Sequence, residues 1–146
     1  MDLLKSLQIS SSGLTANRKR IEAISSNIAN AQTTRTAEGG PYRRKEVVFG
    51  AEPARESFAD ILEGEIDSKA QAVHATEVVN TNEPPILKYD PHHPDANAEG
   101  YVAMPNVNVM KEMADMITAQ RAYEANITSI NTAKSMAVKA LEIGRN

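Results

Sequence analysis

The side chains best suited to chemistry stand in one short run, YDPHHPD, Tyr89 to Asp95, where His92 and His93 lie between Asp90 and Asp95. Imidazoles beside carboxylates are the makings of a metal site or an acid–base pair. The spacing works against both. Neighbouring side chains in an extended segment point to opposite sides and do not converge on one ion. Pro91 and Pro94 fix a turn, His74 is remote in the chain, and no His-x-x-x-His spacing puts two imidazoles on one helix face. The run therefore reads as a structural loop. Arg43, Arg44 and Lys45 form a short basic run with Tyr42 as its single aromatic neighbour, which predicts a solvated turn rather than a phosphate site. Met110, Met113 and Met116 recur at helical spacing and predict core more than an adaptable groove. Phosphate-binding glycine loops, nucleophile elbows and Ser/Lys pairs are absent, so no catalytic residue, metal or cofactor is expected.

The elements that carry these residues are bounded by length and composition. A chain of 146 residues allows one domain, or a small domain with long extensions. The apolar share is 41% but aromatics are 4% and there is no Trp, a balance that packs helices better than it fills a large globular centre. Without Cys, disulfides and thiolate metal sites are excluded. The start, MDLLKSLQISSSGL, lacks a basic residue followed by a continuous apolar run, so it is a poor cleavable signal. No stretch approaches the eighteen or so apolar residues of a membrane span. The net charge of −3 divides unevenly: residues 1–33 carry +2, residues 109–146 carry +1, and −6 falls on residues 34–108. That acidity argues against a nucleic-acid partner and predicts a solvated face in the middle, Glu63 and Glu65 included.

Three textures follow one another. In the first third Leu7, Leu14, Ile21 and Ile28 fall seven apart, with Leu3, Ile24 and Ala31 on adjoining positions, a heptad-like stripe that predicts a helix over about 3–30, roughly 40 Å long. Ser10 to Gly13 in its middle lower its intrinsic helicity, so packing must supply what local preference does not. In the last third Val109, Met113, Met116, Gln120, Tyr123, Ile127, Ile130, Lys134, Ala137 and Leu141 alternate spacings of four and three. This predicts a helix over about 109–143, with Asn108 as N-cap and Gly144 as its C′ residue. Between them, a Gly-Gly-Pro turn leads to a β-like run ending in Val47, Val48 and Phe49; Ala72–Asn80 and Ile86–Tyr89 read as strands, and 90–106 as turns. The expected fold class is α+β: N- and C-terminal helices pairing like a coiled coil, with a small irregular β-rich middle. Its divisions are 1–33, 34–108 and 109–146.

Asn27, Asn30, Asn126 and Asn131 stand beside the stripes. They are either ordinary polar helix positions or amides that fix register in a packed multi-helix wall, as a buried Asn does in coiled coils.

The stretch SSNIANAQTT, 25–34, resembles the N-terminal signature of the bacterial flagellar axial family of rod, hook and hook-associated proteins, and PNVNVMKEMADMITAQRAYEAN, Pro105 to Asn126, resembles its C-terminal signature. GGPYRRKEVVF and YDPHHPDANAEGYVAMPNVN are similar to segments of its rod subgroup, so the likeness covers nearly the whole chain in order and spacing. The stretch 50–72 matches no motif. The resemblance implies paired terminal helices forming the inner tube of an axial structure, a middle domain facing outward, no enzymatic activity, and export by the flagellar type III apparatus without a cleaved signal. It places the chain in the periplasmic rod of the basal body. The partners it implies are other copies, proximal and distal rod proteins, the export-gate adaptor and the export apparatus. The subunit interface is then expected at Leu7, Leu14, Ile21, Ile24, Asn27, Ile28 and Asn30 of the first helix. On the second helix it is expected at Met113, Met116, Arg121, Tyr123, Asn126, Ile127, Ile130 and Leu141. The competing reading is a coiled-coil homodimer whose β domain is a recognition surface. For the rod reading, both terminal segments are expected to order only on assembly, because neither stripe alone buries enough to offset backbone entropy.

Overall fold

The computed structural model describes residues 3–53 and 71–144, and the side chains of residues 6–51 and 71–144. Its elements are helix α1 (Leu3–Ala29), strands β1 (Lys45–Pro53), β2 (Gln71–Asn80), β3 (Ile86–Tyr89) and β4 (Tyr101–Met104), and helix α2 (Val109–Ile143). The expected α+β class is observed: two long terminal helices flank a small antiparallel β region. Most of residues 50–72, with Glu63 and Glu65, lies outside the described residues.

The helices run antiparallel, side by side. Asn27 near the end of α1 touches Glu112 near the start of α2, and Gly13 faces Asn126; the same sequence distance separates the two residues on each helix. Extended to Leu3, this pairing reaches Met136, and α2 continues to Ile143 beyond the end of its partner. Seven residues of overhang extend roughly 10 Å. Gly13 carries a reason for its helix-weakening presence: a Cβ there would stand 3.1 Å from the Asn126 amide nitrogen, so the helices approach closely at this level.

The middle is two separate two-stranded sheets, β1–β2 and β3–β4, each antiparallel. The β1–β2 ribbon lies along α1, the Val73 N–H donating to Ser12 Oγ at 3.2 Å, and its register shifts between Val48 and Phe49. Strand β4 falls within the stretch predicted to be all turns. Its four residues are too few to show alternation, and what makes them a strand is pairing with β3, Tyr89 opposite Tyr101 with rings edge-to-face at 5.3 Å. Gly100, at φ +83, turns the chain into it; a Cβ there would sit 2.9 Å from the Tyr89 ring.

Asn108 caps α2 as expected, its side chain accepting from the Lys111 N–H at 3.2 Å. The other end differs. Gly144 stays right-handed at φ −74, its N–H bonding Ala140 O, so the helix simply runs out without a left-handed cap. Among the described residues no helix is long and apolar enough to cross a membrane.

Candidate assembly interface

The buried residues of α1 are Ala16, Ala23, Ile24 and Asn27, and those of α2 are Glu112, Ala119 and Ala133. On α2 they join half-buried Met116, Tyr123, Asn126, Ile130 and Ala137 in one row of alternating four and three spacing. That row is displaced by one residue from the predicted stripe. Met116, Tyr123, Ile130 and Ala137 belong to both. Met113, Ile127 and Leu141 belong only to the predicted stripe and are exposed, Leu141 at 75%. The offset has a physical cause: close helix approach selects Ala, Gly and Asn at the contact, and a search for bulky apolar residues picks the neighbouring face. Arg121 is exposed too, while Leu7, Leu14, Ile21 and Ile28 are half-buried beside the α1 contact row.

The four asparagines divide. Asn131 is exposed; Asn126 faces Gly13. Asn30 holds the end of α1, its amide donating to Ser26 O at 2.9 Å and its oxygen accepting from Thr33 Oγ1 at 3.2 Å. Asn27 is wholly buried and uses all of its hydrogen-bonding capacity. Its Nδ2 donates to Lys45 O at 2.9 Å and to Glu112 Oε2 at 3.0 Å; its Oδ1 accepts from Lys45 N at 2.8 Å and from the Tyr42 hydroxyl at 3.0 Å. It thus gives the Lys45 peptide the two bonds that a neighbouring strand would give. Having spent its one hydrogen on Asn27, the Tyr42 hydroxyl can only accept in its 3.0 Å contact with Ser26 Oγ, so Ser26 is the donor there.

Glu112, 1% exposed, completes the junction: Arg44 Nε donates to its Oε1 at 2.7 Å. Both carboxylate oxygens are bonded, and the first turn of a helix favours the negative charge. Burial works to lower the pKa of Arg44, but the hydrogen bond and charge of Glu112, with Glu46 and Glu83 behind them, outweigh it and hold the value above the ordinary one. The guanidinium is charged throughout the physiological pH range. The basic run predicted to be a solvated turn is therefore one only at Arg43. Tyr42 is buried, Arg44 is half-buried and paired, and Lys45 opens β1. Gly39 and Gly40, at φ +88 and +78, shape the loop that returns Tyr42 to α1, where its N–H bonds Thr33 O at 3.0 Å. The sequence places Arg44 in a basic run with Tyr42 beside it, and the signal for Glu112 is a carboxylate among apolar helix positions.

The two ends of the helical hairpin are held by unequal means. A hydrogen bond contributes about 1 kcal/mol net and about 2 with a charged partner, so the junction supplies several kcal/mol at the base. Along the rest of the hairpin the buried residues beyond Ile24 are alanines, about 0.8 kcal/mol for each buried methyl. Past Ala133 no described residue of α2 is buried, and Met136, Val138, Leu141 and Ile143 are exposed, Ile143 at 78%.

The YDPHHPD loop is built as a structural turn. The Asp95 N–H donates to His93 Nδ1 at 3.1 Å, and Thr34 Oγ1 donates to Asp95 Oδ2 at 2.8 Å, tying the loop to the segment after α1. His92 is exposed within the loop, and His74 is exposed on β2. Among the described residues no group of three or more metal-ligating side chains converges.

Comparison with known proteins now bears on what these surfaces are for. Residues 7–35 match the family described as flagella basal body rod protein, and residues 98–143 match the flagellar basal body rod FlgEFG protein C-terminal family. The flagellar basal-body rod protein FlgC of Borreliella burgdorferi is 45% identical, with 98% of each chain covered. That of Bacillus subtilis is 45% identical over 99% of this chain and 100% of its own, and that of Escherichia coli O157:H7 is 38% identical with the same coverage. Identity at this level, running the full length of helices, ribbon and junction alike, means that the chain belongs to the FlgC family of flagellar basal-body rod proteins.

Proposed function

We propose that this structural rod subunit assembles head-to-tail through its terminal helices, which line the inner tube of the rod, while residues 34–108 face outward. The observation that carries the reading is the outer face of α2. Met110, Met113 and Ile117, spaced three and four apart, form an apolar row that the chain itself leaves at least half uncovered, Ile127 stands 37% exposed further along, and Leu141 is bare on the overhang. An apolar groove lies elsewhere, between α1, α2 and the ribbon, lined by Ile9, Gly13, Phe49, Val73, Ala122 and Ala125. The overhang beyond Met136 is too far along a straight helix to reach it within one chain. Complementary surfaces at different places on one molecule make contacts that repeat without closing.

The partners on this reading are other copies, the neighbouring proximal and distal rod proteins, the export-gate adaptor and the type III export apparatus. The rod lies in the periplasm and the subunit arrives there without a cleaved signal. The chain carries no catalytic activity of its own, so a His92→Ala, His93→Ala variant swarms like the wild type; loss of swarming would reopen the enzyme reading. The test of assembly is Ile127→Asp in cells. Motility is lost and export of the subunit continues. Electron microscopy of basal bodies then finds no rod, whereas swarming at the wild-type rate would overturn the proposal. Discrete dimers of the purified wild type under assembling conditions would favour the coiled-coil module instead.

A further inference from the structure

We propose that the junction of Asn27, Tyr42, Arg44 and Glu112 is a positioning device that holds the base of the helical hairpin in the free chain, while the far ends of both helices open independently. It narrows the expectation that both terminal segments are disordered throughout before assembly.

The argument rests on what each opening would expose. Parting α2 from α1 at the base breaks both bonds to the buried Glu112 carboxylate, from Asn27 and from Arg44, and because Asn27 also holds both backbone polar groups of Lys45, one event would unsettle the end of α1, the start of β1 and the first turn of α2 together. Such coupling makes the base a single cooperative unit. Parting the helices at the far end uncovers little. Before Ala16 no described residue of α1 is buried, after Ala133 none of α2 is, and the last turns of α2 have no α1 beside them. Local opening concentrates where buried contacts are few and backbone bonds face solvent. Along the face of α2 turned to α1, Glu112 and Ala119 are each 1% exposed and Ala133 is 5% exposed, and no described residue beyond it is buried. The helix-weakening Ser10 to Gly13 also lies in the half of α1 away from the junction. That the freed ends then dock on other copies rests on the assembly proposal; the order of opening does not.

Amide hydrogen exchange on the dilute full-length monomer tests it. Residues 16–29 and 109–122 are expected to exchange at least about tenfold more slowly than residues 6–12 and 134–143. Asn27→Asp keeps the shape but replaces two donors with acceptors, one facing the Glu112 carboxylate and one the Lys45 carbonyl. It should accelerate exchange at the base by at least about tenfold and leave the ends unchanged. Tyr42→Phe removes a single hydroxyl and gives a smaller acceleration, about fivefold, at the same residues; it keeps the test sound if Asn27→Asp does not fold. Uniform protection along both helices would overturn the proposal, as would a base exchanging as fast as the ends, or a Tyr42→Phe effect spread evenly over the hairpin. A variant that keeps the gradient yet fails to enter rods would count against the assembly reading alone.

Discussion

At the base of the hairpin α1 and α2 meet through an amide, a carboxylate, a phenol and a guanidinium with every buried group partnered; toward the other end they meet through alanine methyls, and then α2 continues alone. The two ends use different physics for different tasks. Polar groups in a dry site tolerate one arrangement, so they fix geometry. Thin apolar contact fixes little and leaves room for a competing surface. On the assembly proposal, a subunit that keeps its outer domain aimed while exchanging helix partners is served by the first at one end and the second at the other.

The contrast can be broken most forcefully at Glu112. Replacing it with Ala leaves one Asn27 donor without a partner and the half-buried Arg44 with only the exposed Glu46 carboxylate, 3.6 Å away, a change that costs about 3 kcal/mol. Urea unfolding of the monomer followed by circular dichroism should show the base lost; a midpoint within error of the wild type would mean that the junction contributes nothing. Ile127→Asp should behave in the opposite way. Exposed in the single chain, it should shift the monomer midpoint by less than about 0.5 kcal/mol, yet cost about 3 kcal/mol or more where an assembled neighbour covers it. Comparing monomer melts with rod yield separates the two.

Between the ends, Gly13→Ala gains about 1 kcal/mol of helix preference and gives most of it back by crowding the Asn126 amide at 3.1 Å. A net change under about 0.5 kcal/mol is expected; stabilisation by the full helix increment would show that the helices are looser there than the distance implies. The smallest effect belongs to Leu141→Ala. With its side chain on the overhang, the monomer should melt like the wild type, within about 0.3 kcal/mol, and any defect should appear only in the yield of assembled rods. A destabilised monomer would place Leu141 against its own chain.

How much was legible follows from what each signal requires. Both helices, the Asn108 cap, the β2 and β3 strands and the Gly-Gly-Pro turn were readable, because period, capping and turn chemistry are local properties of a few neighbouring residues. The family signatures were readable for a similar reason, being short and ordered along the chain. What the sequence could not assign was partnership. The α2 row against α1 sets Glu112, Ala119, Asn126 and Ala133 between Met116, Tyr123 and Ile130, and a count of bulky apolar residues replaces those four with their neighbours on the adjoining face. Asn27 could have been any polar helix position until Lys45, Tyr42 and Glu112 were brought to it, and β4 is a strand only because β3 lies beside it. The chain by itself determined which segments are helical and which family they serve. Tertiary structure alone decided which face of each helix is inside, since a polar side chain is stable in a core only when groups distant in sequence arrive to satisfy it.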